Sequence, residues 1–303
     1  MKELVWEITE SCLNSCLHCS SCLTSEDALP KVVSPYYADL VGRGFRAAGF
    51  ERLILSGGEP ALHPQFGTIV EVFHRLGFEI LMYTSGVYPA GFLKAEEPAL
   101  AKISKVLISF FSHREAVHDA IVGNPGAFLA TVGSIKQFIK AGISVEANIV
   151  PMKHNQHDLK ATSDFLVTLG VERVNILKLV RQGNAEKNWS LVGPDNSVLS
   201  ETIESLQDDS AVRVGNPFGK QKSNGQFCGA GYQKVCISFD GYVIPCEVFK
   251  NDRMKFPNIF KTDFCLNSTL EKFKSLHDLV TATKSGCYSH EIRRHLGIIE
   301  DAA

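Results

Sequence analysis

The sequence predicts an α/β protein built as a partial barrel of six parallel strands alternating with helices, followed by a small β-hairpin and helix domain. Three observations carry this. Apolar runs of about five residues, the length of buried parallel strands, alternate with helix-length segments. Glycine follows several of those segments, as a left-handed helix C-cap requires. The chemically unusual residues fall at the C-terminal ends of the strands, the rim where barrels of this kind place their chemistry.

In order, a first strand runs Leu4 to Thr9 and leads into Cys12-Leu-Asn-Ser-Cys16-Leu-His-Cys19. A helix from Tyr36 to Ala48 precedes strand Arg52 to Leu55, which ends in Ser56-Gly57-Gly58-Glu59-Pro60. Helix Phe66 to Leu76 and Gly77 lead to strand Glu79 to Tyr83 and Thr84-Ser85-Gly86. Strand Val106 to Phe110 carries Ser109 at its end. Helix Ala127 to Ala141, Gly142 and strand Ser144 to Ile149, with Asn148, come next. Helix Asp158 to Leu169 and Gly170 precede strand Val171 to Leu177 and the basic stretch Lys178 to Arg181. Right-handed crossovers then bring all these strand ends to one face.

The rhythm breaks near Gly193. A helix is expected over Leu199 to Leu206 and a boundary at Gly215-Asn216-Pro217, dividing the chain into residues 1–214 and 215–303. Beyond it, Lys234 to Phe239 and Tyr242 to Ile244 flank Asp240-Gly241, a hairpin signal, and a helix is expected over Leu270 to Thr281.

The 303 residues are enough for one large domain and a smaller one. With 31 basic and 33 acidic residues the net charge is -2, so no basic stripe marks a nucleic-acid or anionic-membrane surface. No signal-peptide core and no apolar run near the roughly 18 residues of a membrane span are present, which places the protein in the cytoplasm. In that reducing compartment nine cysteines, clustered as Cys12, Cys16, Cys19, Cys22 and Cys228, Cys236, Cys246, Cys265, Cys287, point to two metal centres rather than a disulfide framework.

Three thiols at i, i+4 and i+7 can turn inward on a common centre, yet a closed tetrahedral site needs four ligands. Either Cys22 or His18 completes a structural zinc site, or the fourth position stays open for a substrate or cofactor.

The Cys-x3-Cys-x2-Cys loop, Gly57-Gly58-Glu59-Pro60, His118-Asp-Ala-Ile-Val-Gly-Asn-Pro-Gly-Ala-Phe128, Cys228-Gly-Ala-Gly and Gly241-x4-Cys246 together resemble radical S-adenosylmethionine enzymes of the SPASM/twitch branch. The resemblance implies a TIM-like partial (β/α)6 barrel with a twitch/SPASM-like domain, a [4Fe-4S] cluster on Cys12, Cys16 and Cys19, and S-adenosylmethionine on the open iron. It implies the backbone of Gly57, Gly58 and Glu59 beside the methionine ammonium, flanked in the cofactor site by Ser56 and Pro60, with Thr84, Ser85, Ser109 and Asn148 near ribose or carboxylate and Arg181 facing the carboxylate. Ser109 and Asn148 also read as ordinary strand-end caps, Arg181 as a surface charge, His18 as packing near adenine, and His118-Asp119 with Gly123 to Gly126 as a helix-entry turn.

The branch's full C-terminal domain carries seven cysteines; only five are present here, and His290 stands where a Cys-x2-Cys would follow Cys287. The resemblance therefore implies one auxiliary [4Fe-4S] cluster on Cys228, Cys246 and Cys287, with Cys265, His290 or an open site occupied by substrate at the fourth position. Cys236 is left over, either a small buried hydrophobe or a hydrogen-atom donor, with Cys265 in reserve for that role. The expected activity is epimerisation or oxidation of a ribosomal peptide or a sugar-like small molecule, with cross-linking as a further outcome. A flavodoxin- or ferredoxin-type protein is the expected electron donor. An iron–sulfur electron carrier or a zinc-stabilised binding module is the competing class, and neither has a use for Gly-Gly-Glu-Pro at a barrel rim.

Overall fold

The computed structural model describes residues 1–21, 33–215, 229–281 and 289–298. Cys22, Cys228 and Cys287 lie outside the described residues.

The element order is β1 (Lys2–Glu7), α1 (Pro35–Ala47), β2 (Phe50–Ser56), α2 (Phe66–Arg75), β3 (Glu79–Thr84), α3 (Phe92–Ala95), α4 (Glu97–Leu100) and β4 (Lys105–Ser109). Then follow α5 (Glu115–Val122), α6 (Ala127–Lys140), β5 (Ser144–Ile149), α7 (Leu159–Thr168), β6 (Arg173–Ile176), α8 (Asn184–Lys187) and α9 (Trp189–Val192). The chain continues through α10 (Asn196–Leu206), β7 (Val212–Val214), β8 (Lys234–Ile237), β9 (Val243–Ile244), α11 (Leu266–Thr281) and α12 (Ser289–His295).

The nine strands among the described residues form one sheet in the order β7-β6-β5-β4-β3-β2-β1-β8-β9, parallel except for the antiparallel β8/β9 pair, and open rather than closed into a barrel. The six expected strands are present, and the sheet grows at both ends. At one end β7 pairs with β6 through Val174↔Val212 and Ile176↔Val214. At the other, β8 pairs in parallel with β1, Leu4 facing Val235 and Val5 facing Cys236. The hairpin expected in a separate small domain thus continues the main sheet.

Local chemistry sets the boundaries. Ser34 accepts from the Tyr37 amide and Pro35 opens α1 with its φ already helical. Gly77, Gly142 and Gly170 adopt φ of 76°, 75° and 93° behind α2, α6 and α7, the left-handed cap their positions foretold. The Val171 amide donates back to Leu166 O in the α7 cap, so β6 starts at Arg173 rather than at Val171. Strand β8 stops at Ile237 because the Phe239 amide turns to the Glu7 carboxylate and leaves the ladder.

The outward sheet face packs under the helices, with Leu4, Trp6 and Ile8 of the first strand region fully buried and Trp6 edge-on to Phe73 of α2 at 6.0 Å. The inward face carries Val5, Glu7, Tyr83, Ser109, Asn148, Lys234 and Cys236 into a central cavity. No helix among the described residues is long and apolar enough to cross a membrane.

Candidate functional site

A cavity of about 1100 Å³ opens at the C-terminal rim of the sheet. Cys12, Cys16 and Cys19 line it together with Ser56, Gly57, Gly58, Thr84, Ser85, Ser109, Asn148 and Arg181, so residues scattered over 170 positions of sequence share one wall. Cys236 lines it as well. Glu59 and Pro60 do not; both are buried beneath it. Cys265 is exposed and outside the lining, Cys246 is half-buried with its Sγ 3.3 Å from Glu247 Oε2, and His290 is exposed with Nε2 3.2 Å from Arg294.

The glycines explain how strand two meets the cysteine loop. Gly58 N donates to Thr9 O at 2.8 Å and Glu59 N to Ser11 O at 2.7 Å, a sheet-like contact carried past the end of β1. A Cβ on Gly58 would lie 2.3 Å from Ser11 O, and one on Gly57, whose φ is 147°, 2.4 Å from Thr9 O. Only glycine permits that approach.

Beneath them the Glu59 carboxyl is fully buried and accepts from Thr84 Oγ1, Ser85 N and Ser85 Oγ, each at 2.8 Å. Burial raises its pKa to about 7 against the lowering effect of these donors. Each hydroxyl has one proton, which Thr84 and Ser85 give to Glu59; Thr84 Oγ1 also accepts from Tyr88 and from Gly86 N and has no lone pair left for a ligand, whereas Ser85 Oγ accepts from Val87 N and keeps one. Thr84 in turn takes a hydrogen bond from Tyr88 OH at 2.6 Å, a residue that no sequence pattern singles out. Asn148 has its carbonyl engaged by Asn175 at 3.1 Å, leaving its NH2 group for the cavity.

At the β8 side, Lys250 Nζ bonds Glu7 Oε1 and Ser21 Oγ, and Lys234 pairs with Glu247 at 2.8 Å. Burial works to raise the Glu247 carboxyl, but the Lys234 ammonium and its hydrogen bond outweigh it and hold the group at about 2. Burial, reinforced by the negative Glu247, pushes the Cys236 thiol well above its ordinary pKa, so it keeps its proton. Burial lowers His18 to about 4, and its neutral ring stands edge-on to Phe111 at 4.6 Å with Nδ1 unpartnered. Glu7 and Lys250 are 243 residues apart, and no local pattern announces them.

His118 and Asp119 lie inside α5 rather than in a helix-entry turn, and His118 lines the cavity; Gly123 ends α5, Gly126 is the N-cap of α6, and the amides of Gly126 and Phe128 donate to the Asp119 carboxylate. Arg181 is exposed at the mouth, 5.3 Å over the Trp189 ring.

The donor set suits an iron–sulfur cluster. Three soft thiols on one loop face a cavity with room for a further ligand, and a glycine-walled strand end lies against that loop. Among the described residues no three His, Cys, Asp or Glu side chains gather closely enough to hold a single metal ion.

The chain has relatives among known proteins. The chain is 24% identical over 214 residues to an AdoMet-dependent heme synthase of Methanosarcina barkeri, covering 70% of this chain and 60% of that protein. It is 25% identical over 253 residues to the PqqA peptide cyclase of Ruegeria pomeroyi, covering 80% and 66%. The chain thus spans less than two thirds of either relative's length. Streptococcus suis SuiB bound to S-adenosylmethionine shares the fold, with a TM-score of 0.72 at 15% identity over 96% of this chain and 74% of that one. The model of the Radical SAM superfamily matches residues 6–166, more than half of the chain and including the whole cysteine loop; the protein belongs to that superfamily.

Proposed function

We propose that this protein generates a substrate radical in the cavity bounded by Cys12, Cys16 and Cys19 and quenches or oxidises it beside Cys236, on a peptide or a small natural product. The observation that carries the reading is that the cysteine loop and Cys236 line the same cavity. When bound, the cluster and S-adenosylmethionine supply a 5'-deoxyadenosyl radical. The residues of this chain do the rest. Gly57 and Gly58 bring strand two onto the loop, Glu59 fixes the end of β3, and the NH2 of Asn148 is available to a ligand acceptor.

In an epimerisation, the Cys236 S–H bond breaks homolytically and a new C–H bond forms on the substrate carbon. One electron and one proton then restore the thiol, the electron coming from the low-potential flavodoxin- or ferredoxin-type donor. A buried thiol is suited to this step because it transfers a hydrogen atom rather than a proton. Cys236→Ala should still release 5'-deoxyadenosine but lose inversion and solvent deuterium incorporation. Unchanged epimerisation by that variant rejects the assignment. Net loss of two hydrogens from substrate, with no deuterium gained, selects oxidation instead.

A peptide substrate is supported by the peptide cyclase relative and by SuiB, solved with its precursor peptide; a small molecule is supported by the heme synthase relative. An auxiliary cluster on Cys246 with Cys228 and Cys287, completed by Cys265 or His290, belongs to the same proposal. Anaerobic reconstitution should give about eight irons per chain for two [4Fe-4S] clusters, falling by half in Cys246→Ser. Absence of 5'-deoxyadenosine after reduction with dithionite in the presence of S-adenosylmethionine rejects catalysis altogether.

A further inference from the structure

The cysteine loop is held from outside itself on three sides. From the turn after β2, Gly58 N and Glu59 N donate to Thr9 O and Ser11 O at the entry to the loop. From α5, the carbonyls of Val122 and Ile121 accept from Ser15 N at 2.9 Å and Leu17 N at 3.0 Å, and Asn124 Nδ2 reaches Asn14 Oδ1 at 2.8 Å. The third side is the short segment after β6. Asn184 donates twice, from its backbone to Cys19 O at 2.8 Å and from its side chain to Cys16 O at 3.1 Å, and Asn188, four residues on, donates to Leu17 O at 2.9 Å. Residues i and i+4 share a face in a helical turn, so the two amides form one bracket. Gly183 makes the approach possible: its φ is 57° and a Cβ there would lie 2.5 Å from Cys19 O.

We propose that Asn184 and Asn188 are positioning residues that hold Cys16 and Cys19 in their ligand-presenting arrangement. The three carbonyls they engage belong to Cys16, Leu17 and Cys19, two ligand residues and one between them. Each carbonyl bound outward by an amide donor has its negative end turned to that donor rather than left to swing towards the thiolates. A cluster gains one negative charge on reduction, so carbonyls released towards it oppose the added electron. The bracket therefore acts both on retention of the cluster and on its reduction.

The same segment is tied to the C-terminal part of the chain. Gln182 Nε2 donates to Glu247 O at 2.8 Å and Asn251 Nδ2 to Glu186 Oε2 at 3.1 Å. These two bonds tie the turn after Cys246 to the segment that holds Cys16 and Cys19.

The test uses the full-length, anaerobically reconstituted protein and the variants Asn184→Leu and Asn188→Leu, which remove the donors without adding charge. Two quantities are read: the rate of iron loss to a chelator, and the electron paramagnetic resonance signal and midpoint potential of the dithionite-reduced cluster with and without S-adenosylmethionine. Each lost hydrogen bond should speed iron loss about fivefold, the equivalent of about 1 kcal/mol, and shift the potential downward. Lys187→Gln, on the exposed side of the same turn, should match the unsubstituted protein and controls for damage to the segment. If Asn184→Leu does not fold, Asn188→Leu carries the test alone. Unchanged iron loss and potential in both Asn variants, or an equal effect from Lys187→Gln, overturns the proposal. The proposal rests on the cluster reading of the loop, and its failure is separable: an unsubstituted protein that takes up no iron defeats that reading instead.

Discussion

At the scale of single residues, the site divides into side chains that meet a ligand and side chains that shape the wall. Glu59 illustrates the second kind. Its carboxyl holds Thr84 and Ser85, while its own amide and that of Gly58 bond the backbone leading into the cysteine loop. Glu59→Leu leaves the Ser85 amide and the Thr84 hydroxyl without an acceptor, at a cost of about 1–3 kcal/mol for each buried donor. Chemical denaturation should show it as a large drop in stability, whereas Glu59→Gln, which keeps one acceptor, should lose far less. Gly58→Ala places a methyl carbon 2.3 Å from Ser11 O, so the loop has to move. Its expected signature is iron content well below that of the parent protein with a stability loss of about 1–3 kcal/mol. The sequence made the cysteines and glycines legible because their chemistry needs those residue types at those spacings. It made Asn184, Asn188, Lys250 and Tyr88 illegible, since each is an ordinary polar residue whose meaning comes from a partner brought near by folding.

Elements tell a similar story. The strand and helix rhythm was readable from apolar runs and helix-ending glycines, and the six strands and their helices lie within a few residues of the expected places. Strand β7 was not, because three residues, Val212–Val214, are too short to show a period. Nor was the pairing of β8 with β1: alternation marks a strand without naming its neighbour. That pairing has an energetic consequence. Ile237 is fully buried and stands beside Trp6 in the parallel ladder. Ile237→Ala should destabilise the protein by about 2–5 kcal/mol, and thermal unfolding should remain a single transition, since the hairpin and β1 share one sheet. A separate early transition for the hairpin in that variant counts against this.

Across the whole molecule, buried ionisable groups make stability depend on pH. Glu59 is raised to about 7 in the folded chain from 4.5. Below pH 4.5 it is protonated in both states and contributes no dependence. Between 4.5 and about 7 the unfolded chain gives up this proton while the folded chain keeps it, so stability falls as pH rises; above about 7 the loss is complete. Glu247 acts in the opposite direction: held at about 2, it adds stability that is present above 4.5 and lost as pH falls towards 2. Denaturant titrations at pH 5 and pH 8 on the parent and on Glu59→Gln separate the two, since the Gln variant should lose the decline between these values that Glu59 causes.

The position of β1 between β2 and β8 bears on how the chain is made. Its first edge is covered once residues 50–56 have left the ribosome, but its second waits for residues 234–237. Through most of translation the row Leu4, Val5, Trp6 presents an open hydrogen-bonding edge, the kind of surface on which nascent chains associate. The cysteine loop directly follows that strand. The contacts that hold it, from residues 58–59, 121–124 and 184–188, all precede β8 in the chain, so the loop can be anchored on those sides before the sheet closes.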